Sequence, residues 1–360
     1  MEESGNYSGQ TYSELSTGEK ITCIVLYAIL MVLIVVGNGL LLYVIIKAKE
    51  LKRSSRIFLV SLTVADLFVG LVVIPVRVVP QIIGISIGSI WTVSDRLCEA
   101  LNFLEDFAIG ASVLAVLALT IERYLAVEMP LRFRSMLTSR RACIVVACSW
   151  LMSLCTASIL LILSVVYESR FVAFDGPSSL CVINKLSGVT LFMFLNFIIV
   201  YFLIPLCVTF FASIRILNIV KNHTAYQKQA PKNVSQRVCN GVCRGLCKCF
   251  LRNKKALVTV LILTLSYSVS SIPFVVCVFY IMFSPYAVDQ LLVELAKLSL
   301  FSSCFINVIV YTGRNRAFRG SAKHLLCRLL HVRCNTVRRH PVRSQSDNLN
   351  VSVSTQDTHL

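Results

Sequence analysis

Seven apolar stretches, each long enough to cross a lipid bilayer, dominate this chain. They cover residues 21–48, 57–83, 97–127, 142–166, 189–220, 256–283 and 288–312. A helix needs about 20 apolar residues to cross the hydrocarbon core, and a spanning helix satisfies its own backbone hydrogen bonds. The sequence therefore predicts an all-α fold, a bundle of seven transmembrane helices called here spans one to seven.

Composition supports a membrane protein and disfavours other classes. The chain is 56% hydrophobic and 15% charged, whereas soluble domains carry about 25% charged residues. The net charge of +17 lies in the segments between spans, which disfavours a folded nucleic-acid-binding face. No repeat relates the two halves, and charge within the bundle is confined to its ends plus Asp66, so a transporter or channel is disfavoured. No nucleophile–base pair or metal-ligand cluster indicates an enzyme.

The distribution of Lys and Arg predicts the orientation in the membrane. The first twenty residues contain one lysine and four glutamates, whereas the segments after spans one, three, five and seven are basic. We therefore expect a plasma-membrane protein with residues 1–20 as an extracellular tail, 21–330 as the helical domain and 331–360 as a disordered cytoplasmic tail. No signal-peptide core precedes span one, so span one is expected to act as the signal-anchor. Asn6, in Asn6-Tyr7-Ser8, is a predicted glycosylation site on the outer side.

Two cysteines, Cys98 and Cys181, fall at predicted extracellular positions. Cys98 opens span three, and Cys181 lies in the loop before span five. The outer compartment is oxidising, so we expect these two residues to form a disulfide. The bridge would hold the loop over the mouth of the bundle.

A set of motifs, in order and in register, resembles the rhodopsin-like (class A) G-protein-coupled receptors. The motifs are Gly37-Asn38, Leu62 to Asp66, Trp91, Cys98, Glu122-Arg123-Tyr124, Trp150, Cys181, Pro205, Pro273, Asn307 to Tyr311 and Phe318-Arg319. The resemblance extends from about residue 21 to residue 330. It implies a receptor that transmits the binding of an extracellular small molecule or peptide to a heterotrimeric G protein.

The resemblance also assigns roles to individual residues. Arg123, beside Glu122 and Tyr124, would engage the G protein, and Tyr311 would swing inward on activation. A short amphipathic eighth helix, residues 314–330, would lie on the cytoplasmic membrane surface, and the Ser/Thr-rich tail would offer sites to an arrestin-type partner. A sodium pocket is the implied cofactor site, formed by Asp66, Ser112, Ser303 and Asn307.

The position of Asp66 in the middle of span two leaves two interpretations. A buried acid there needs partners inside the bundle, for which the polar candidates are Asn38, Ser112, Ser303 and Asn307. Under one interpretation, Asp66 is protonated and neutral, and its hydrogen bonds hold the packed helices together. Under the other, a water-filled site at Asp66 holds a small cation.

The departures from the family pattern cluster in its activation machinery. Five positions differ: Tyr267, Ser271 in place of the span-six tryptophan, Ser213, Val308 in place of the span-seven proline, and Asn253 in place of an acid that latches Arg123. With Glu122 as the sole ionic partner of Arg123 on the inner side, we expect raised basal signalling. The opposite expectation is poor coupling, and its extreme is a receptor-like protein that no longer couples.

Charged residues near the outer mouth are the predicted ligand site. Glu105 and Asp106 lie seventeen to eighteen residues before Arg123, about 27 Å along a helix, and Glu105 takes the position of the family's amine-binding aspartate. Arg77 and Lys297 add cations. Either Glu105 pairs with Lys297 and no net charge is left for a ligand, or Glu105 or Asp106 accepts a ligand ammonium. The mixed signs also suit a peptide or amino-acid-like ligand. The predicted aromatic lining is Phe197, Tyr201 and Phe274.

Cysteines on the inner side suggest contact with lipid. Residues 239–250 place Cys239, Cys243 and Cys247 on one apolar stripe, which predicts either a membrane-surface helix or a flexible loop of reduced thiols. Cys327 and Cys334 follow the eighth helix and are the predicted palmitoylation sites.

Overall fold

The computed structural model describes residues 12–13, 15–47, 52–87, 95–129, 132–166, 172–175, 180–183, 191–192, 195–196, 198–212, 214–215, 218, 242–283 and 288–314. Several predicted features lie outside these residues: Asn6, Phe197, Ser213, Cys327, Cys334, the eighth helix beyond Arg314 and the C-terminal tail.

Six helices among the described residues are long and apolar enough to cross a membrane. Spans one, three and four are Thr17–Lys47, Asp95–Glu128 and Ser139–Val166. Spans six and seven are Val242–Phe283 and Gln290–Arg314. Span five is represented by a shorter apolar helix, Ile198–Ala212. A four-residue helix, Phe133–Met136, lies between spans three and four. The predicted all-α bundle is confirmed.

Span two is continuous but changes its winding halfway. Its two α-helical parts, Arg53–Phe68 and Ile74–Ile87, are joined by a π-helical turn, Val69–Val73. At this turn Gly70 lies against span one, where an added Cβ would be 2.8 Å from the Ile34 side chain. A π turn inserts one extra residue into the helical cycle, so it changes the direction in which the following half of the helix points its side chains.

Span six begins fourteen residues earlier than the sequence pattern predicted. Residues 242–250, the larger part of the cysteine segment, belong to the same helix as the membrane span. The helix predicted for the cysteine stripe is therefore confirmed over these residues, whereas the flexible loop and the start of span six at residue 256 are wrong. Helix propagation adds one hydrogen bond per residue, and the glycine at position 245 costs only about 1 kcal/mol, which is too little to break a long helix.

Local side-chain caps mark the beginnings of spans one and seven. Ser16 and Glu19 form a reciprocal capping box at span one: the Ser16 N–H donates to Glu19 Oε2 at 2.8 Å, and the Glu19 N–H donates to Ser16 Oγ at 3.3 Å. At span seven, Asp289 Oδ1 accepts from the Leu291 N–H at 2.9 Å. Such caps satisfy backbone donors that the first turn of a helix leaves unpaired.

Strands and a disulfide gather where spans one, three and seven begin. The antiparallel strands β2, Val172–Asp175, and β3, Leu180–Ile183, form a hairpin, and Cys181 of β3 is bonded to Cys98 of span three. Strands β1, Tyr12–Ser13, and β4, Val288–Asp289, pair in parallel. The predicted disulfide is confirmed. We call this the disulfide end of the bundle and the opposite one the Arg123 end.

The apolar side chains divide between an interior core and a lipid-facing exterior. Two buried clusters fill the interior: one around Tyr27, Tyr201 and Phe301 toward the disulfide end, and one around Phe58 and Leu119 toward the Arg123 end. Outside them, many large apolar side chains are exposed, most evidently along span four. An apolar exterior of this extent fits a surface that meets lipid rather than water.

Spans three, four and five pack closely around Gly110. An added Cβ would collide with Ser153 Oγ and lie 2.9 Å from the Tyr201 ring. Both neighbours are held in place, since Ser153 Oγ donates to the Phe107 carbonyl at 2.7 Å and Tyr201 is hydrogen-bonded to Thr156.

Gly110→Ala is therefore expected to destabilise the protein by about 1–3 kcal/mol through overpacking. Thermal unfolding of the purified protein measures this effect. The matched control is Gly39→Ala, because nothing lies within 4 Å of an added Cβ at Gly39 and alanine favours a helix. Equal unfolding temperatures for the two variants would contradict the packing argument.

Candidate functional site

A network of buried charged groups joins spans one, two, three and seven near the disulfide end. Arg77 Nη1 donates to Glu105 Oε1 at 2.6 Å, and Arg77 Nη2 donates to Glu294 Oε1 at 2.6 Å. Arg77 Nε donates to Glu294 Oε2 at 3.3 Å and to the Tyr27 hydroxyl at 3.2 Å, and that hydroxyl donates to Glu294 Oε2 at 2.9 Å. Each of these four residues is at least 93% buried. We call Arg77, Glu105, Glu294, Lys297 and Tyr27 the Arg77 cluster.

Lys297 is the loosely held member of this cluster. Its Nζ lies 3.7 Å from Glu105 Oε2, beyond hydrogen-bonding distance, although the residue is 93% buried. The cluster contains two cations and two carboxylates, so its formal charge is balanced. All three guanidinium nitrogens of Arg77 donate hydrogen bonds, whereas no hydrogen bond joins the Lys297 ammonium to another described residue.

Asp106 faces a different environment from its neighbour Glu105. Among the described residues, its carboxylate accepts one hydrogen bond, from Asn102 Nδ2 at 3.2 Å, and has no ion-pair partner. Asp106 is partly exposed. The two adjacent acids are thus one neutralised carboxylate and one that lacks a cation.

The structure brings together four of the predicted ligand-site residues and adds two. Arg77, Glu105 and Lys297 meet, with Asp106 beside them, but the tight partner of Glu105 is Arg77 rather than Lys297. Glu294 was noted as an acid near the outer mouth but was not placed in the predicted ligand site, and Tyr27 was missed. A signal for Glu294 existed, because it lies three residues before Lys297 and so shares a helix face with it. No sequence signal pointed to Tyr27.

The predicted aromatic lining has other contacts. Tyr201 is fully buried, and its hydroxyl is hydrogen-bonded to Thr156 of span four. Phe274 is half-buried and packs against the apolar cluster at the disulfide end. Tyr201 therefore acts in packing between spans.

A second polar site lies around Asp66 in the middle of the bundle. Asp66 is fully buried and accepts from Ser112 Oγ at 2.8 Å and from Asn307 Nδ2 at 2.9 Å. Ser303 and Asn38 were also expected to bond to Asp66. Instead, Ser303 Oγ donates to the Leu300 carbonyl, and Asn38 Nδ2 donates to the Ile34 and Cys304 carbonyls. The helix backbone offers these two side chains nearer acceptors.

A small cavity borders the Asp66 site. Its lining includes the side chains of Ser112, Ser303, Asn307 and Tyr267. Carboxylate, hydroxyl and amide oxygens are the donors that hard cations prefer. Ser112 and Asn307, which donate to Asp66, are neutral side chains, so a cation would add charge compensation. The residues present therefore fit a small cation.

At the Arg123 end, Arg123 is held by spans two and three. Its guanidinium lies 3.2 Å from Glu122 Oε2, and its Nη2 donates to Ser55 Oγ at 2.5 Å. Glu122 Oε1 in turn accepts from Ser54 Oγ at 3.0 Å and from Ser55 Oγ at 2.6 Å. Glu122 is 99% buried. Among the described residues Glu122 is the ionic partner of Arg123, and Ser55 is a second contact that the sequence did not reveal.

Other residues at this end link the remaining spans. Tyr124 packs on Phe211 with ring centroids 6.3 Å apart, and Arg215 donates to Glu128 at 3.0 Å, joining spans three and five. Arg314 Nε donates to Thr259 Oγ1 at 2.9 Å, joining spans seven and six. Tyr311 is half-buried and packs against the apolar cluster at the Arg123 end.

Two unusual positions in spans six and seven are filled by small side chains. Ser271 is fully buried, and its hydroxyl donates to the Tyr267 carbonyl one turn earlier, at 2.7 Å. Val308 is buried and faces Gly37 of span one, where an added Cβ would be 3.2 Å from the valine methyl groups. The hydroxyl of Tyr267 has no partner among the described residues.

The fold and these two ends define a multi-pass helical membrane protein of the receptor type. The family model of the 7 transmembrane receptors (rhodopsin family) matches residues 37–311, and the chain belongs to that family. Since family members are receptors, the chain is not an enzyme.

Individual proteins resemble the chain over different extents. The QRFP-like peptide receptor of Branchiostoma floridae is 26% identical over 89% of this chain and 81% of its own length. The adenosine receptor A2b of Gallus gallus is 39% identical, but over 37% of each chain. The crystal structure of squid rhodopsin superposes with a TM-score of 0.74 at 18% identity, covering 89% of this chain and 88% of the other, which supports the fold.

Proposed function

We propose that this protein is a plasma-membrane receptor that couples an extracellular ligand at the disulfide end to a heterotrimeric G protein at the Arg123 end. One observation carries the proposal: span three holds Glu105 and Asp106 at one end and Arg123 at the other, about 27 Å apart. At both ends the charged groups contact neighbouring spans, so a ligand that moves span three would act on both. The rival proposal, an uncoupled receptor-like protein, has no comparable support.

The partly exposed Asp106 is the proposed acceptor for a positively charged group of the ligand. Glu105 is occupied by Arg77 and approached by Lys297, whereas Asp106 lacks a cation among the described residues. A charge-assisted hydrogen bond to a carboxylate is among the stronger polar contacts. Amines, small peptides and amino-acid-like molecules all carry a suitable ammonium or guanidinium group.

Coupling is tested without knowledge of the ligand. Cells that produce the wild-type chain are expected to show a higher ligand-independent second-messenger output than cells that produce Arg123→Ala, because Arg123 is the proposed G-protein contact. Cyclic AMP and calcium are the readouts, at matched surface amounts of each chain. The control is Arg132→Ala, an exposed arginine beyond span three, which should keep the wild-type output. Equal outputs for Arg123→Ala and wild type would contradict raised basal signalling.

The proposed allosteric ion at Asp66 is sodium. Asp66, Ser112, Ser303 and Asn307 would hold it through oxygen atoms, and the ion would compensate the buried carboxylate. A ligand that binds the folded state stabilises that state by an amount that grows with its concentration. We therefore expect the purified receptor to unfold at a higher temperature in sodium chloride than in choline chloride of equal concentration.

Asp66→Asn should remove this difference between the two salts, because an amide carries no charge to attract the ion. Thr63→Ala is a control on the same span, since its hydroxyl bonds to its own helix at the Leu59 carbonyl. Persistence of the salt difference in Asp66→Asn would place the sodium effect elsewhere.

We also propose the remaining features for this receptor. They are an extracellular N-terminus with glycosylation at Asn6, palmitoylation at Cys327 and Cys334 next to membrane lipid, and an arrestin-type partner for the Ser/Thr-rich tail.

A further inference from the structure

Two buried glutamines beside the Arg77 cluster lack hydrogen-bond partners within the described part of the chain, and Lys297 of that cluster is only loosely paired. Gln81 is 97% buried, and its Nε2 has no partner. Gln290 is 98% buried, and neither its Nε2 nor its Oε1 has a partner. Lys297 is 93% buried and makes one approach, 3.7 Å, to Glu105. Buried polar groups are nearly always hydrogen-bonded, so two glutamines without partners beside a loosely paired lysine point to a missing molecule.

These side chains lie along the same helix faces as the ion pairs. Gln81 is one turn beyond Arg77 on span two, and Gln290 is one turn before Glu294 on span seven. Because the two helices run in opposite directions, both glutamines lie about 6 Å closer to the disulfide end than the Arg77–Glu294 pair. Lys297 lies one turn deeper than Glu294. Gln290 and Lys297 differ in depth by about 10 Å, which is the length of about three residues of extended chain.

The hydrogen-bond donors and acceptors of Gln81, Gln290 and Lys297 match those of a peptide. A glutamine amide presents donors and an acceptor together, as a peptide bond does, so glutamine pairs with amide groups in both directions. The Lys297 ammonium offers donors and needs an acceptor. An extended peptide end supplies amide groups along its length and a carbonyl at its tip.

The charge balance of the site favours a neutral C-terminus on the peptide. Arg77 and Lys297 already balance Glu105 and Glu294, so a free carboxylate would add an uncompensated negative charge to a buried site, which is costly. A neutral carboxamide has the carbonyl acceptor without the charge. We propose that Gln81, Gln290 and Lys297 bind the C-terminal end of a peptide whose last group is a carboxamide, with backbone amides at the glutamines and the terminal carbonyl at Lys297. This inference rests on the proposed receptor function and names the ligand class.

The test uses the purified full-length receptor in lipid nanodiscs, with two random-sequence pentapeptide pools that differ only at the C-terminus, carboxamide or free carboxylate. Thermal unfolding reports binding without a G protein, so loss of coupling and loss of binding are separate results. We expect the carboxamide pool to raise the unfolding temperature at concentrations at least tenfold lower than the free-acid pool. Equal or better binding of the free-acid pool overturns the carboxamide assignment.

Variants of the unsatisfied groups test the site itself. The double variant Gln81→Leu/Gln290→Leu is expected to lose the shift caused by the carboxamide pool and, without peptide, to unfold at a higher temperature than wild type, because two unsatisfied buried amides have been removed. Lys297→Met should require at least tenfold more carboxamide peptide for the same shift. Ser86→Ala is the control, since Ser86 is exposed and bonds to its own helix at the Ile82 carbonyl.

Two results would overturn the assignment of the glutamines. If the double variant unfolds at a lower temperature than wild type, the amides have structural partners and do not await a ligand. If the double variant keeps the full peptide-induced shift, the peptide binds elsewhere.

Discussion

Arg77→Met is expected to lower the free energy of unfolding by about 3–5 kcal/mol, because it breaks a buried ion pair from one side. Arg77 contacts Glu105 and Glu294, both 2.6 Å away, and all three residues are at least 93% buried. Removing the guanidinium leaves two carboxylates with Lys297 as their one nearby cation. Thermal unfolding of the purified receptor and its amount at the cell surface measure the loss.

A second substitution should restore stability. Arg77→Met/Glu294→Gln removes one positive and one negative charge, and leaves Glu105 with Lys297 as a balanced pair. Replacing both members of a buried pair is often close to neutral, so the double variant should recover most of the loss. Arg96→Met is the matched control: the Arg96 side chain is 70% exposed in its pair with Glu99, and exposed pairs contribute about 1 kcal/mol or less. A double variant as unstable as Arg77→Met would refute charge imbalance as the cause.

Ser55→Ala is expected to raise ligand-independent signalling by about tenfold or more, up to the limit of the assay. The hydrogen bond from Arg123 Nη2 to Ser55 Oγ has a charged donor, and such bonds contribute about 1.5–3 kcal/mol. In this structure the bond holds Arg123 against span two. Its loss would favour the state in which Arg123 is released, since 1.4 kcal/mol corresponds to a factor of ten in an equilibrium. Second-messenger output per receptor at the cell surface measures the change.

The chain offers a closely matched control in the preceding serine. Ser54 Oγ donates to the same carboxylate oxygen, Glu122 Oε1, at 3.0 Å, but no described hydrogen bond joins it to Arg123. Ser54→Ala should therefore change basal output much less than Ser55→Ala. If the two variants signal equally, the restraint acts through Glu122 rather than through the serine–arginine bond.

The Arg77 and Ser55 results together would relate the two ends of span three. Arg77 joins span three to spans two and seven at the disulfide end, and Ser55 joins it to span two at the Arg123 end. A ligand that reorganises the first set of bonds would shift span three relative to span two. Such a shift is the kind of differential contact that a population change between two receptor states requires.

Much of the fold could be predicted from the sequence because its signals are local or compositional. Seven apolar stretches predicted the helical bundle, since a spanning chain must satisfy its backbone bonds within itself. Cys98 and Cys181 were predicted to pair because few cysteines lay on the outer side. The start of span six at Val242 was missed, because the basic and glycine-containing segment before residue 256 lacked the apolar signal that marked the other spans.

Partner choice within the buried sites required the tertiary structure. The sequence by itself determined that Arg77, Glu105 and Lys297 would lie near one end of the bundle, because their positions along the helices set their depth. It did not determine that Arg77 takes both Glu105 and Glu294 while Lys297 stays loosely held, or that Ser55 bonds to Arg123. Depth follows from the 1.5 Å rise per residue, whereas contacts depend on how each helix is rotated and packed. The π turn in span two, for example, changes the direction in which the half that carries Arg77 points its side chains. The rotation of each helix about its own axis is set by contacts with neighbouring helices, and these contacts form only in the folded bundle.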